Sequence, residues 1–271
     1  MVFLAQVASG AHSASAGGSG DVFMSLFRHV LPHQIGSVAG IPVFNFQIFQ
    51  VLAVVLMALI FGALRARVTV ERPGFFARIF RGWVIWIREE MVYPIMGREE
   101  GRKFLPYFLY LFFFIAFMNL LGLVPSGVAA TGSLYVTGAL AATSLALFIG
   151  AGMMENGVLG FFKSLVPHGL PAWLVPLMFL LELVGLFFKA FALMIRLFAN
   201  MTGGHLALLS FLGLIFFFAG MIGKLAYALA VPSVAFAVFI MIVESFVALL
   251  QAYIFTILTI VFTAMYMHPD H

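Results

Sequence analysis

The sequence predicts an all-α polytopic membrane protein with about five membrane-crossing helices. Three observations lead there. The 271 residues are 64% hydrophobic and only 9% charged, against roughly 25% charged in soluble domains. Apolar runs at 46–64, 104–124, 134–153 and across most of 171–266 reach the roughly 20 residues that a helix needs to cross the hydrocarbon core. The runs are continuous, unlike the short alternating segments of a transmembrane β-barrel. A soluble fold is excluded, because the chain lacks the polar residues to clothe its surface.

Taken in order, residues 1–40 read as an N-terminal tail and a short interfacial segment, placed outside. The small, polar "SGAHSASAGGSG" reads as a flexible tail. The preceding "MVFLAQVA" lacks a basic n-region and is short for a signal peptide, and residues 22–34 suit a short interfacial helix. Residues 41–271 form a single helical membrane domain. Its first span, about 46–64, ends at Arg65 and Arg67, whose side chains can reach the headgroups.

Residues 72–100 are too charged to span. Arg78, Arg81 and Arg88 alternate with Phe75, Phe76, Ile79, Phe80, Trp83 and Trp86, a pattern for an amphipathic helix in the cytoplasmic interface with its aromatics in the acyl boundary. A cytosolic loop helix without lipid contact is the plainer alternative. The second span, about 104–124, tolerates Pro106 in its first turn and carries one polar group near its end, Asn119, read as structural. The third, about 134–153, is followed by a short connection with Glu155 and Lys163.

The last hundred residues are unusual in length. Residues 233–265 hold no proline or glycine, and at about 1.5 Å per residue that helix is about 50 Å long, against a hydrocarbon core about 30 Å thick. Residues 172–222 are equally long. A long, strongly tilted hairpin over about 172–266 is expected, turning within 223–232.

Nine of the 14 Lys and Arg residues lie in residues 65–103. Beside a first span, such a cluster marks a cytoplasmic loop, which puts the N-terminus outside and, for an odd number of crossings, the C-terminus inside. Glu71, Glu89, Glu90, Glu99 and Glu100 offset these bases, which argues against a nucleic-acid partner. There is no cysteine, hence no disulfide or thiolate site. His12, His29, His33 and His168 read as solvent or interface residues, and neither a metal site nor a cofactor is expected.

The informative residues are the polar ones inside the hairpin. Glu182, Lys189 and Arg196 are spaced by seven, nearly two turns, and share one helix face, which Asn200 extends. With about 10 Å of axial rise between Glu182 and Lys189, the stripe reads as separated polar groups, not self-neutralising pairs. Glu244 and Gln251 repeat the spacing of seven on the partner helix. His205, nine after Arg196, faces about 180° away on an ideal helix. Glu182 and Lys189 near a membrane surface would merely snorkel, and His205 with Glu244 would make only a structural contact. Arg196 resists such a reading, because apolar residues extend well beyond it on both sides and a charge at the centre of a membrane helix costs about 2.5–3.5 kcal/mol.

The stretches "MIRLFANMTGGH", "ESFVALLQAYIFTILTIVFTAMY" and "MNLLGLVP" (118–125) closely resemble subunit a of the F-type ATP synthase membrane sector, over roughly residues 40–268. The resemblance implies a stator subunit with two offset half-channels beside a ring of proton-carrying c subunits. It implies b-type peripheral-stalk and other synthase subunits as further partners, in a bacterial inner membrane. The chain would be a non-catalytic, proton-translocating subunit, without a site for ATP synthesis or hydrolysis; sodium is the other possible ion. On this reading Arg196 is the essential rotor-facing charge. Asn200, His205, Glu244 and Gln251 match polar positions of the outside channel. Glu182 matches the acid toward the cytoplasmic half-channel, with Lys189 between it and the arginine.

The chain departs from many bacterial members. His205 and Glu244 exchange the usual glutamate and histidine, as in mitochondrial members. Gly185 stands where serine is frequent, and the loop "PSGVAATGSLYV" lacks an acid found near there. Two other classes remain open. A secondary transporter usually shows repeated halves and broken helices, and no repeat is apparent. A membrane scaffold explains the hydrophobicity but not polar groups set at helical spacings.

Overall fold

The computed structural model describes residues 34–38, 41–67, 74–123, 129–166, 171, 173–222 and 226–268, without side chains for 34–43, 63–67, 212–222, 226–231 and 233. Two short strands, β1 (Gln34–Val38) and β2 (Ile41–Phe44), pair antiparallel. Helices follow: α1 (Asn45–Arg67), α2 (Phe75–Trp86), α3 (Tyr93–Met96), α4 (Arg98–Gly122), α5 (Leu134–Ser164), α6 (Val175–Ile222) and α7 (Ala226–Met267). A π-helical stretch, Ile87–Val92, joins α2 to α3, and a 3₁₀ turn covers Ala130–Gly132.

Five helices are long and apolar enough to cross a membrane, over Asn45–Gly62, Arg98–Gly122, Leu134–Ser164, Val175–Phe211 and Val234–Met267. Within them large apolar side chains such as Val51, Leu59, Leu181, Phe188, Phe239 and Phe246 lie on the outer surface. Water would make that arrangement unfavourable at about 25 cal/mol per Å²; lipid does not. The protein is a multi-pass membrane protein.

Several boundaries differ from those read in the sequence. The β1–β2 hairpin was not expected, because a strand pair of nine residues leaves no long-range hydropathy signature. The interfacial segment ends earlier than expected: α3 stops at Gly97, whose φ of 75° lies in the left-handed region that glycine enters without a Cβ clash. The charged Arg98–Glu100 turn therefore begins spanning helix α4. The third spanning helix runs on past 153 to a break at Gly157, φ 71°, and only then resumes. Pro232, expected in the turn between the two long helices, lies inside α7, which begins at Ala226; residues 223–225 of the expected turn lie outside the described ones. The tail helix expected over 22–34 and the reach of Arg65 and Arg67 also lie outside what is described. Helices α6 and α7 hold 48 and 42 residues, about twice the roughly 20 that cross a bilayer upright.

Contacts divide the chain into two compact units. One comprises residues 1–54, 116–133 and 198–250; the other comprises 55–115, 134–197 and 251–271. In the first, Asn119 is fully buried. Its Nδ2 donates to the Ala248 carbonyl at 3.1 Å, and its Oδ1 accepts from Thr131 Oγ1 at 2.7 Å. Unpaired, a buried amide would cost about 1–3 kcal/mol; paired, it ties the end of α4 to α7.

The second unit is rich in aromatic packing. Trp83 of α2 lies 5.6 Å from Phe112, and Trp86 lies 5.6 Å from Tyr253. With Phe80 against Phe113, three of the five α2 aromatics pack on protein, while Phe75 and Phe76 stay outside, 66% and 75% exposed. At the far end, Asn156 Nδ2 reaches the Tyr266 and Met267 carbonyls at 3.3 and 3.0 Å. His268 Nε2 lies 2.6 Å from Glu100 Oε2. The last turn of α7, whose carbonyls have no helical partner, is thereby held by α5 and α4.

Candidate functional site

Within the second unit, α6 presents Glu182, Lys189 and Arg196 toward the same side, as their spacing predicts. Lys189 and Arg196 line an open cleft of about 320 Å³ with Gly185, Phe188, Ala192, Leu193, Leu258 and Phe262. Apart from the two cations, that lining is apolar. Among the described residues Arg196 makes no hydrogen bond or ion pair, leaving all five of its N–H donors free to face whatever enters.

Lys189 behaves differently, and here the expectation of separated groups fails. Its Nζ donates to Glu182 Oε1 at 3.0 Å, a direct ion pair across seven positions. The reason is side-chain reach. Helical side chains lean toward the N-terminus, so the lysine stem covers most of the rise and an extended glutamate covers the rest. Tyr266, which the sequence reading did not single out, closes the group. Its Oη accepts from Lys189 Nζ at 2.7 Å and donates to Glu182 Oε1 at 3.1 Å. Nothing in its spacing could have marked it, since it lies 77 and 84 residues from its partners.

Within the first unit, His205 Nδ1 lies 3.1 Å from Glu244 Oε1, with both side chains nearly buried. Gly204 makes room for this contact: a Cβ there would stand 2.7 Å from Glu244 Cδ. Glu244 Oε2 and Thr202 Oγ1 are buried without a hydrogen-bond partner. Asn200 is half-buried in this unit. In the second unit Gln251 Nε2 and Thr256 Oγ1 are likewise buried and unpartnered. Native interiors leave few such atoms without protein or water, so these four positions suit bound water. Among the described residues no group of His, Asp and Glu is arranged to hold a metal ion.

A model of the ATP synthase A chain family matches residues 47–264, which include every one of these side chains except Tyr266. The chain belongs to the ATP synthase A chain family. It is similar to ATP synthase subunit a of Myxococcus xanthus, 40% identical over 190 residues, or 70% of this chain and 61% of that one. The corresponding subunit of Chloroherpeton thalassium is 38% identical over 203 residues, 74% of this chain and 58% of that one. That of Chlorobium phaeobacteroides is 34% identical over 255 residues, 88% and 72%. The chain thus spans about three fifths of the length of the first two relatives. Membership in the ATP synthase A chain family agrees with the resemblance read from the three sequence stretches. The family match includes Arg196 with its cleft, and the His205–Glu244 pair.

Proposed function

We propose that this chain is the stator subunit of an F-type ATP synthase proton channel, coupling proton flow through two half-channels to rotation of a c-subunit ring. The observation that carries the reading is Arg196: a guanidinium in an apolar helix, lining an open cleft, with no ion-pair partner among the described residues. A charge so placed is rare in membrane helices and marks a functional position. What it lacks within the chain, a carboxylate from another chain would supply. The partners are accordingly c subunits at the cleft, b-type stalk subunits and the remaining synthase subunits. The setting is a bacterial inner membrane with the C-terminus cytoplasmic.

The chemistry follows from the residue types. A carboxylate carried through lipid must be protonated and must lose its proton beside the stator. A permanently charged guanidinium favours the ionised carboxylate there. It also repels a proton moving straight from one half-channel to the other, so transfer must pass by way of the moving carboxylate. Glu182 and Lys189 belong to the cytoplasmic path. Asn200, His205, Glu244 and Gln251 belong to the outside path; the unpartnered buried atoms on Glu244 and Thr202, within one unit, would hold water.

Arg196→Ala in native membranes tests the assignment. The complex should assemble and ATP-driven proton pumping should disappear. Arg196→Lys should be severely impaired, because the charge remains but the fork and the resistance to deprotonation are lost. Coupled pumping retained by Arg196→Ala would refute the reading.

A further inference from the structure

The cleft holds two cations where the proposed mechanism uses one. Lys189 and Arg196 both line it, about 10 Å apart along the helix, just beyond the roughly 8 Å at which exposed charges become largely screened at physiological salt. A lysine stem free to swing into the cleft would bring its ammonium closer still to Arg196. It would there offer an entering carboxylate a second, competing partner.

The structure holds Lys189 by four contacts. Its ammonium donates to Glu182 Oε1 at 3.0 Å and to Tyr266 Oη at 2.7 Å, and it sits 4.8 Å from the centroid of the Tyr266 ring and 5.8 Å from that of Phe262. The tyrosine hydroxyl in turn donates to the same Glu182 oxygen at 3.1 Å, closing a triangle of three hydrogen bonds. Charge-assisted bonds of this kind are roughly twice as strong as neutral ones, and the ring face adds a cation–π attraction.

Tyr266 is itself fixed. It is 4% exposed, and its ring lies 6.0 Å from Phe161 and 6.5 Å from Phe148. Its carbonyl accepts from Asn156, and Gly152 leaves the space for that approach, since a Cβ there would meet the same carbonyl oxygen at 2.9 Å. A phenol packed against α5 thus aims its hydroxyl at Glu182 and Lys189.

We propose that Tyr266 is a positioning residue that, with Glu182, holds the Lys189 ammonium at the end of the cleft away from Arg196, so that the guanidinium is the sole cation meeting the rotor carboxylate. This rests on the stator reading above. It assigns Tyr266 no proton transfer, only control of where one charge stands.

Two measurements test it. First, Ala192→Cys places a thiol in the cleft of the full chain, which has no cysteine of its own. In proteoliposomes, the ratio of its reaction rates with an anionic and a cationic methanethiosulfonate reports the local potential. Adding Tyr266→Phe keeps the ring and removes the hydroxyl; the ratio should rise at least about threefold as the ammonium enters the cleft. Adding Lys189→Gln as well should cancel that rise. Second, in membranes carrying the whole complex, Tyr266→Phe should slow ATP-driven pumping, and the loss should vanish when it is made in a Lys189→Gln background. An unchanged rate ratio in Tyr266→Phe overturns the proposal, as does a changed ratio with undiminished pumping. Failure of the stator reading looks different: pumping then survives Arg196→Ala, while the thiol-rate measurement still stands or falls by itself.

Discussion

His205 and Glu244 show how much one contact depends on its surroundings. The pair is 3.1 Å apart and nearly buried, and Gly204 makes room for the carboxylate. Removing either partner leaves the other as an unpaired polar group in low dielectric, which is costly. Glu244→Gln or His205→Ala should therefore slow proton flux without the complete loss expected of Arg196→Ala. In the exchanged double variant, His205→Glu with Glu244→His, flux should exceed the product of the single defects by at least about twofold, the low end of coupling for residues in contact. Purely additive defects in that cycle would mean that the two residues do not act together. Lys189 illustrates the converse. Its axial distance from Glu182 argued against a bond, and side-chain length and lean made one.

The amphipathic α2 divides its aromatics between two uses. Trp83 packs against Phe112, whereas Phe75 and Phe76 remain on the outside. A helix with such a face and with Arg78 and Arg81 beside it is expected in the headgroup boundary. In a Trp173→Phe background, which leaves Trp83 and Trp86 as the tryptophans, lipids brominated high on the acyl chain should quench fluorescence more than lipids brominated near its end. Equal, weak quenching by both would return α2 to a solvated loop helix. Elsewhere the helix boundaries are decided by single residues: Gly97 and Gly157, both at positive φ, stop α3 and break α5.

At the scale of the molecule, the five helices long and apolar enough to span, with large apolar side chains exposed, leave Arg196 in its cleft without an ion-pair partner among the described residues. If the stator reading holds, the intact protein extracted in mild detergent should co-purify with an oligomeric ring of small hairpin proteins. A chain recovered alone under conditions that preserve other membrane complexes would favour a transporter or scaffold instead.

Hydropathy and spacing were enough for the fold class, the number of spans and the exceptional length of α6 and α7, because an apolar run of about 20 residues has one favourable environment and helical periodicity fixes which residues share a face; the family came from the resemblance of three particular stretches. Hydropathy and spacing were also enough to choose Glu182, Lys189, Arg196, His205 and Glu244, since polar groups in such runs stand out. What they could not supply was which atoms meet. The Lys189–Glu182 bond depends on side-chain reach, and Thr131 and Tyr266 are ordinary residues in their own segments. Their partners lie 12, 77 and 84 positions away, and only packing of α4, α5, α6 and α7 within each unit brings them within hydrogen-bonding distance.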